Sequence, residues 1–303
     1  AMGCGVAKLP GSTFGEYVLG DPLGQGSAGI VLSCVHRETK ETYAIKMIEK
    51  AASRHWDLLN EAELLKSFQH PNIIRCVEAF CKRNVVCIVL EMYTGGTLLQ
   101  AIRARQRLPT KPEPQSVVHV FFQMAASLCY LHERCVMHRD IKGENYLTSC
   151  GDLRDPSVRV VLTDFGTARR LASHADRLTT PVGTRPYWSP EHFLGVYGLK
   201  SDVWALGLTM LSLLEGRLPS PIGGVVAAQA PTRWSCCNGD CGNLIDGMLR
   251  SNEEERLSSA EVLDQLRMRT HSRIVSDREG ASQRPAMRSG FETSRGPVAL
   301  RRQ

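Results

Sequence analysis

Apolar and polar residues alternate along the first third of the chain, and helical spacing is confined there to one stretch. Residues 17–48 hold β-branched residues around two glycine-rich turns, which predicts a set of strands. Residues 73–80 and 85–92 predict two more strands. Between these groups, apolar residues recur on one face from Trp56 to Phe68, which predicts a helix. We therefore expect a small sheet with one helix in this part of the chain.

Beyond Gly95 and Gly96 the spacing of apolar residues becomes helical. The predicted helices cover 98–105, 115–133 and 200–214. A small strand-rich lobe thus precedes a larger helical lobe, and the predicted fold class is α+β. The expected divisions are an N-terminal extension over 1–15 that looks in part like a cloning remnant, a strand-rich lobe over 16–93, a helical lobe over 94–266 and a basic tail over 267–303.

The net charge of +6 is distributed unevenly along the 303 residues. Nine arginines and three acidic residues place the whole excess in the tail over 267–303, so the rest of the chain is neutral. This distribution argues against a globular domain shaped to bind nucleic acid. With 43% hydrophobic and 22% charged residues, and no apolar run of 18, the composition predicts a globular protein without a membrane span.

The eleven cysteines are scattered, and no signal peptide opens the sequence, which predicts reduced thiols in a cytoplasmic protein. Cys236, Cys237 and Cys241 lie close together, but no fourth ligand sits at metal spacing, so we expect loop cysteines rather than a zinc site. Gly3 and Cys4 would allow a lipid anchor to a membrane if Met2 is the native start. Ala7 leaves the myristoylation pattern incomplete.

A glycine-rich turn is the first of six motifs that carry chemistry. Gly24, Gly26 and Gly29 lie between strand-like segments, and glycines let a backbone approach phosphates closely. The same spacing occurs in dinucleotide-binding proteins, but a helix follows it there, whereas residues 30–35 predict a strand. The turn therefore indicates a phosphate site outside a dinucleotide-binding fold.

Lys46 ends the alternating run Tyr43-Ala44-Ile45-Lys46, so its ammonium group needs a partner or a ligand anion. Glu61, on the predicted helix, is the expected partner. Glu63 points elsewhere on that helix and is the alternative.

Three further motifs are His138–Asn145, Asp164–Gly166 and Gly183–Glu191, and the first two supply oxygen ligands and a base. Asp140, Asn145 and Asp164 offer carboxylate and amide oxygens. Such a set suits Mg²⁺ together with one general base.

These motifs, in this order and spacing, resemble those of a eukaryotic protein kinase from Tyr17 to Leu266. The resemblance implies the bilobal protein-kinase fold, with a small β-rich N-lobe, a larger helical C-lobe, and ATP and Mg²⁺ between them. Lys46, oriented by Glu61, would hold the α- and β-phosphates of ATP beneath the glycine turn.

The resemblance also assigns roles in the helical lobe. Asp140 would accept the proton of the substrate hydroxyl, and Lys142 would neutralise charge on the transferred phosphoryl group. Asp164 and Asn145 would bind the metal ions.

Adenine would lie in a flat apolar slot beside the hinge between the lobes. Glu91 and Tyr93 would belong to that hinge. The lining residues would be Leu23, Val31, Ala44 and Leu147. Ordinary core packing is the alternative for each of these residues, and both roles are compatible.

Lys142 after Asp140, together with Thr184, resembles the pattern of serine/threonine kinases, so the implied partner is a protein substrate. Among protein kinases, the segments His70–Ile74 and Glu91–Thr97 most resemble those of the calcium/calmodulin-dependent type. Lys142–Asn145 looks more like the kinases that act on other kinases.

Arg139 precedes Asp140, and in kinases with this pair a phosphate on the activation segment usually neutralises the arginine. The activation segment runs from Asp164 to Glu191 here, and Thr180 is the expected site for an upstream kinase. Thr179 and Ser173 are alternatives, as is a segment that is ordered without phosphate.

Three further residues are expected to act structurally. The resemblance implies that Glu191 pairs with Arg256 and that Asp202 braces the loop that carries Asp140.

The rival function is a pseudokinase scaffold that binds partners without phosphoryl transfer. Such chains commonly lose one of the residues at Lys46, Asp140 or Asp164, and all three are present here. A small-molecule kinase on a related fold is a second rival. We expect a monomer.

Overall fold

The computed structural model describes residues 10–26, 29–49, 55–82, 84–106, 117–216 and 240–269. Most of the N-terminal extension, including the lipidation motif, lies outside the described residues. So do Cys236, Cys237 and the tail beyond residue 269.

The small lobe is one antiparallel sheet with the strand order β1-β2-β3-β4-β6-β5. The strands are β1 (Thr13–Phe14), β2 (Tyr17–Gly26), β3 (Gly29–His36), β4 (Thr42–Glu49), β5 (Cys76–Lys82) and β6 (Val85–Glu91). A strand follows the glycine-rich turn, as predicted, which excludes the dinucleotide-binding arrangement.

Both faces of this sheet are covered, because the two sides of β6 belong to different apolar clusters. Val86, Ile88 and Leu90 pack in the main core with helix α1 (His55–Lys66). Cys87 and Val89 pack on the opposite face with aromatic residues of β1 and β2. Successive side chains of a strand point to opposite faces, so the continuous apolar run of β6 is buried on both.

The predicted boundaries were wrong at two places where tertiary contacts replace regular structure. The strand expected over 73–80 begins only at Cys76, because Ile74 leaves the sheet and donates its amide to the carbonyl of Leu162 at 2.9 Å. The helix expected to reach Phe68 ends at Lys66, and Phe68 packs against Phe165 with ring centroids 5.4 Å apart. Both contacts join the small lobe to the large one.

The large lobe is mainly helical. Its elements are α2 (Leu98–Gln106), α3 (Val118–Glu133), β7 (Val136–Met137), β8 (Tyr146–Thr148), β9 (Val160–Leu162), β10 (Arg169–Arg170), α4 (Pro190–Phe193), α5 (Lys200–Glu215), α6 (Asp240–Met248) and α7 (259–269). Two short sheets, β7 with β10 and β8 with β9, carry the loops of the candidate site. The described helices match the three predicted ones within the ranges that the structure covers.

Helix α5 is the centre of the large lobe. Every residue from Ser201 to Leu214 is buried, so this helix is surrounded by protein on all sides. In the part of the chain that the structure describes, no helix is both long and apolar enough to cross a membrane.

Candidate active site

Lys46 joins the two lobes through two carboxylates. Its Nζ lies 2.7 Å from Oε1 of Glu61 on α1 and 2.8 Å from Oδ1 of Asp164 in the large lobe. The expected contact between Lys46 and Glu61 is therefore present, whereas the alternative Glu63 is exposed. Strand β4, helix α1 and the Asp164 turn thus meet at one ammonium group.

Burial and charge oppose each other in this cluster. Burial alone would lower the pKa of Lys46, but Glu61 and Asp164 raise it overall. Burial would raise the pKa of Asp164, but the charge and hydrogen bond of Lys46 lower it overall. Both groups are therefore charged at neutral pH. The Asp164 side chain is 47% exposed, so the cluster opens to solvent on its side.

Asp202 on α5 holds the loop before Asp140 through the backbone, as the sequence predicted. Its Oδ2 accepts the amide of His138 at 2.7 Å, and its Oδ1 accepts the amide of Arg139 at 2.9 Å. Burial would raise the pKa of Asp202, but hydrogen bonds, the one from His132 first, lower it overall. Arg139 has a left-handed φ of 69°. The two hydrogen bonds from the backbone amides to Asp202 stabilise this unusual conformation.

Asp140, Lys142 and Thr184 form a hydrogen-bonded triangle in which each side chain contacts the other two. Thr184 Oγ1 donates to Asp140 Oδ1 at 2.7 Å and accepts from Lys142 Nζ, also at 2.7 Å. Lys142 Nζ lies 2.9 Å from Asp140 Oδ2. Asn145 Nδ2 donates to the Asp140 carbonyl at 2.7 Å and to Oδ2 at 3.2 Å. The carboxylate is therefore fixed in orientation by three different side chains.

Gly183 brings the activation segment against this loop. Its φ is +89°, and an added Cβ would lie 2.2 Å from the carbonyl oxygen of Arg139. That oxygen is backbone and cannot rotate away, so only glycine permits Thr184 to reach Asp140.

We expect Gly183→Ala to destabilise the protein by more than the 1–3 kcal/mol typical of a strained left-handed residue, because a backbone collision is added to the strain. Gly195→Ala is the matched control: its φ is +87°, but an added Cβ meets nothing within 4 Å. Urea unfolding of both variants measures the difference. Equal losses in the two variants would show that the approach to Arg139 carries no energy.

The donor set suits a hard cation. The amide nitrogen of Asn145 faces Asp140, which leaves its Oδ1 for a ligand, and Asp164 Oδ1 faces Lys46. Carboxylate and amide oxygens are what Mg²⁺ prefers, usually with substrate phosphates completing its shell. Among the described residues no three His, Cys, Asp or Glu side chains cluster at metal spacing. The carboxylate of Asp164 and the amide oxygen of Asn145 are of the kind that suits Mg²⁺ bound jointly with nucleotide phosphates.

The residues expected to contact adenine lie on strands of both lobes: Leu23 on β2, Val31 on β3, Ala44 on β4 and Leu147 on β8. Val31 is paired with Gly24 and Lys46, Ala44 is paired with Leu90, and Leu147 bridges to Thr97. Leu23 is 48% exposed. The Gly26 backbone lies in β2, and its pairing with Gly29 closes the β2–β3 turn.

Gly29 and the hinge residues Glu91 and Tyr93 also make contacts that stabilise the fold. A Cβ on Gly29 would lie 2.3 Å from the carbonyl oxygen of Met47, so glycine is needed there without any ligand. Glu91 Oε1 accepts the amide of Arg75 at 3.0 Å and the hydroxyl of Tyr93 at 3.4 Å. The Glu91 amide in turn donates to the carbonyl of Arg75 at 3.1 Å.

Glu191 and Arg256 form the buried pair that the sequence predicted. Arg256 NH1 and NH2 lie 2.5 and 2.9 Å from the two carboxylate oxygens. Burial would raise the pKa of Glu191, but the hydrogen bonds and charge of Arg256 bring it down to about 2. The pair anchors the end of the activation segment to the far part of the chain.

Sequence reasoning missed a stack of rings beside this pair. His192 is buried between Trp188, at 4.2 Å between ring centroids, and Tyr197, at 3.8 Å. Within the described ranges His192 Nε2 has no hydrogen-bond partner. Burial lowers the pKa of His192 to about 4, although Asp202 and Glu191 act in the opposite direction. The available signal was a histidine within the otherwise apolar run after Glu191.

We expect acid to destabilise the protein through His192. Its folded pKa of about 4 is below its usual value of 6.5, so its stabilising contribution is complete above pH 6.5 and is lost as the pH falls toward 4. Between pH 7 and pH 5 the loss is about 2 kcal/mol. His192→Phe keeps the stacking but not the titration, so urea unfolding of this variant should depend less on pH. An identical pH dependence in both proteins would contradict this assignment.

The activation segment contacts the large lobe at several points. Leu178 exchanges two backbone hydrogen bonds with Tyr197, at 2.9 and 3.0 Å, and the Tyr197 hydroxyl donates to the Thr180 carbonyl. Thr180 itself is exposed. Arg139 Nε donates to the Thr167 carbonyl at 2.6 Å.

Comparison with known proteins gives a consistent result. The sequence profile described as "Protein kinase domain" matches residues 17–266. The serine/threonine-protein kinase GE16371 of Drosophila yakuba is 32% identical over 280 residues, which cover 87% of this chain and 36% of the fly protein. The serine/threonine-protein kinase DCLK1 of Rattus norvegicus is 31% identical over 274 residues, 85% of this chain and 61% of the rat protein. The chain thus spans about a third of the length of the fly relative.

Proposed function

Because the chain belongs to the protein kinase family, we propose that it transfers the γ-phosphate of ATP to serine and threonine hydroxyls of proteins. The observation that carries the proposal is the triangle of Asp140, Lys142 and Thr184. It places a carboxylate and an ammonium group at one point, beside the Lys46 cluster.

Each charged group has unused hydrogen-bonding capacity for the substrates. Lys46 has three N–H donors, and Glu61 and Asp164 occupy two, which leaves one for a phosphate oxygen of ATP. The Asp140 carboxylate has about four acceptor sites, so it can still accept the proton of a substrate hydroxyl. Lys142 lies against the same carboxylate and would compensate negative charge on the phosphoryl group.

Mg²⁺ would be held by Asp164 and by Asn145 Oδ1 together with the phosphates, and it would supply charge compensation on the β- and γ-phosphates. Asn145 would be kept in place by its two hydrogen bonds to Asp140. The metal site and the base are therefore mechanically linked.

Specificity for serine and threonine is supported by Lys142, which bonds to Thr184 and reaches over Asp140. The names of the fly and rat relatives point the same way.

The pseudokinase scaffold is the weaker candidate, because the residues needed for transfer are present and in mutual contact. Lys46 is paired with Glu61 and Asp164, and Asp140 is oriented by Asn145. A scaffold would not require these contacts to persist together.

Control by an upstream kinase at Thr180 belongs to the same proposal and is supported by the exposure of that residue. Thr180→Ala should lower activity after incubation with an activating kinase, whereas Thr179→Ala should not.

The monomeric state, the cytoplasmic location and a lipid at Gly3 or Cys4 are proposed from the sequence alone.

Phosphoamino-acid analysis of a generic basic protein, incubated with the full chain and Mg-ATP, tests the proposal. We expect phosphoserine and phosphothreonine, and no signal with the Lys46→Met variant. Phosphotyrosine as the main product, or equal labelling by the variant, would contradict it.

A further inference from the structure

Cys135 forms a thiol–imidazole pair with the activation segment. It lies between α3 and β7, and its Sγ is 3.3 Å from Nδ1 and 3.9 Å from Nε2 of His174. The two residues are 39 positions apart in the chain. His174 is exposed and Cys135 is partly exposed, so the pair can be reached from solvent.

The position of Cys135 also connects it to the activation segment through the backbone. Its carbonyl accepts the amide of Leu171 at 2.7 Å. Its side chain packs on a small apolar cluster that Leu171 and Tyr197 share with β7. A change at this sulfur would therefore act on the packing of Leu171, in the first part of the activation segment, and of Tyr197, which follows the segment.

The other described thiols have different surroundings. Cys34, Cys87 and Cys129 are buried, and burial raises their pKa values to about 11, 12 and 11. Buried thiols of this kind are inert. Cys81 is exposed, and Cys76 and Cys150 are partly exposed, but the thiols of Cys76 and Cys150 donate to the carbonyls of Glu78 and Asp152. Within the described ranges, no hydrogen bond joins any of these three thiols to an imidazole. Cys135 thus combines access with an adjacent base, which is the arrangement of an activated nucleophile.

We propose that Cys135 is a site of reversible oxidation by hydroperoxides, with His174 as the base, and that its oxidation loosens the activation segment. The sulfur attacks one oxygen of hydrogen peroxide while the imidazole takes the thiol proton. The O–O bond breaks, and the departing hydroxide receives that proton and leaves as water. Cysteine is oxidised by two electrons to the sulfenic acid, and peroxide is reduced to water.

The added oxygen separates the sulfur from His174 and brings a polar group against the apolar cluster of Leu171 and Tyr197. The activation segment would then lose one of its attachments, and Thr184 would be held less firmly on Asp140. This consequence for activity rests on the proposed kinase function, whereas the oxidation itself does not.

Dimedone labelling of sulfenic acid, mapped by peptide mass spectrometry on the full chain, tests the site. After brief hydrogen peroxide treatment we expect Cys135 to be labelled and Cys81 to be labelled much less. His174→Ala should slow the labelling of Cys135 by about tenfold, a modest share of what a positioned general base contributes. Equal labelling of Cys135 and Cys81, or a rate indifferent to His174→Ala, would overturn the proposal.

Kinase assays before and after the same treatment test the consequence. We expect peroxide to lower the rate of the wild-type protein several-fold and dithiothreitol to restore it. Cys135→Ser should match the wild type before treatment and resist peroxide, whereas Cys81→Ser should remain sensitive. Equal inactivation of Cys135→Ser and wild type would overturn control by Cys135. Should no variant have kinase activity even before treatment, the proposed function fails while the labelling result still decides the oxidation site.

Discussion

The Asp164→Asn variant folds normally and loses about 10³-fold or more in the rate of phosphoryl transfer; this is the largest effect that we expect. The substitution removes the negative charge that faces Lys46 and that would hold the metal ion. Folding should survive because asparagine is tolerated at the left-handed φ of 61° that Asp164 adopts. Initial rates with Mg-ATP and a generic protein substrate, beside thermal unfolding, measure the two effects separately.

Asp155→Asn is the matched control for charge. Asp155 is partly exposed in the loop between β8 and β9, and we expect its replacement to leave the rate unchanged. A scaffold would retain partner binding and show no rate to lose in either protein. A rate for Asp164→Asn near that of the wild type would contradict the assignment of this carboxylate.

Replacing Arg256 by methionine should destabilise the protein by about 3–5 kcal/mol, the usual consequence of breaking a buried ion pair on one side. The Arg256 side chain is fully buried. Besides its bonds to Glu191, the guanidinium group donates hydrogen bonds to the carbonyls of Arg250 and Lys200, each at 3.0 Å. Its loss leaves the Glu191 carboxylate without its counter-ion, with the Ser201 hydroxyl as a remaining donor, and removes one donor from each of the two carbonyls. Urea unfolding at neutral pH measures the loss.

The control is Arg267→Met, which removes an arginine from an exposed pair with Asp264 at 3.2 Å. Exposed pairs contribute about 0–1 kcal/mol, so we expect a small change. The double variant Arg256→Met with Glu191→Gln should recover part of the stability lost in the single variant, since the unpaired charge is gone. Similar losses for Arg256→Met and Arg267→Met would show that the buried pair carries no special energy.

The contact between Lys46 and Glu61 could be predicted from chemistry, because a lysine that ends an apolar strand needs an anion. The pair of Glu191 and Arg256 was expected from the resemblance to protein kinases. The lobes followed from the change in periodicity after Gly95.

What could not be predicted depends on chain segments that meet only after folding. The start of β5 moved to Cys76 because Ile74 bonds to Leu162 across the lobes, a contact that local periodicity does not encode. The pair of Cys135 and His174 joins two loops of no regular pattern. Proximity of this kind is decided by the packing of the activation segment, not by spacing in the chain.

The most direct test of phosphoryl transfer is the intact mass of the protein before and after incubation with Mg-ATP and a generic basic protein, beside the Asp140→Asn variant. Asp140 is the residue that we assign as base, and its partners Thr184, Lys142 and Asn145 can still surround an amide. We predict a gain of whole phosphates on kinase or added protein with the wild type only, and fragment mapping would show whether Thr180 is among the sites. No gain with the wild type, even after treatment with an activating kinase, would contradict the account and favour the scaffold.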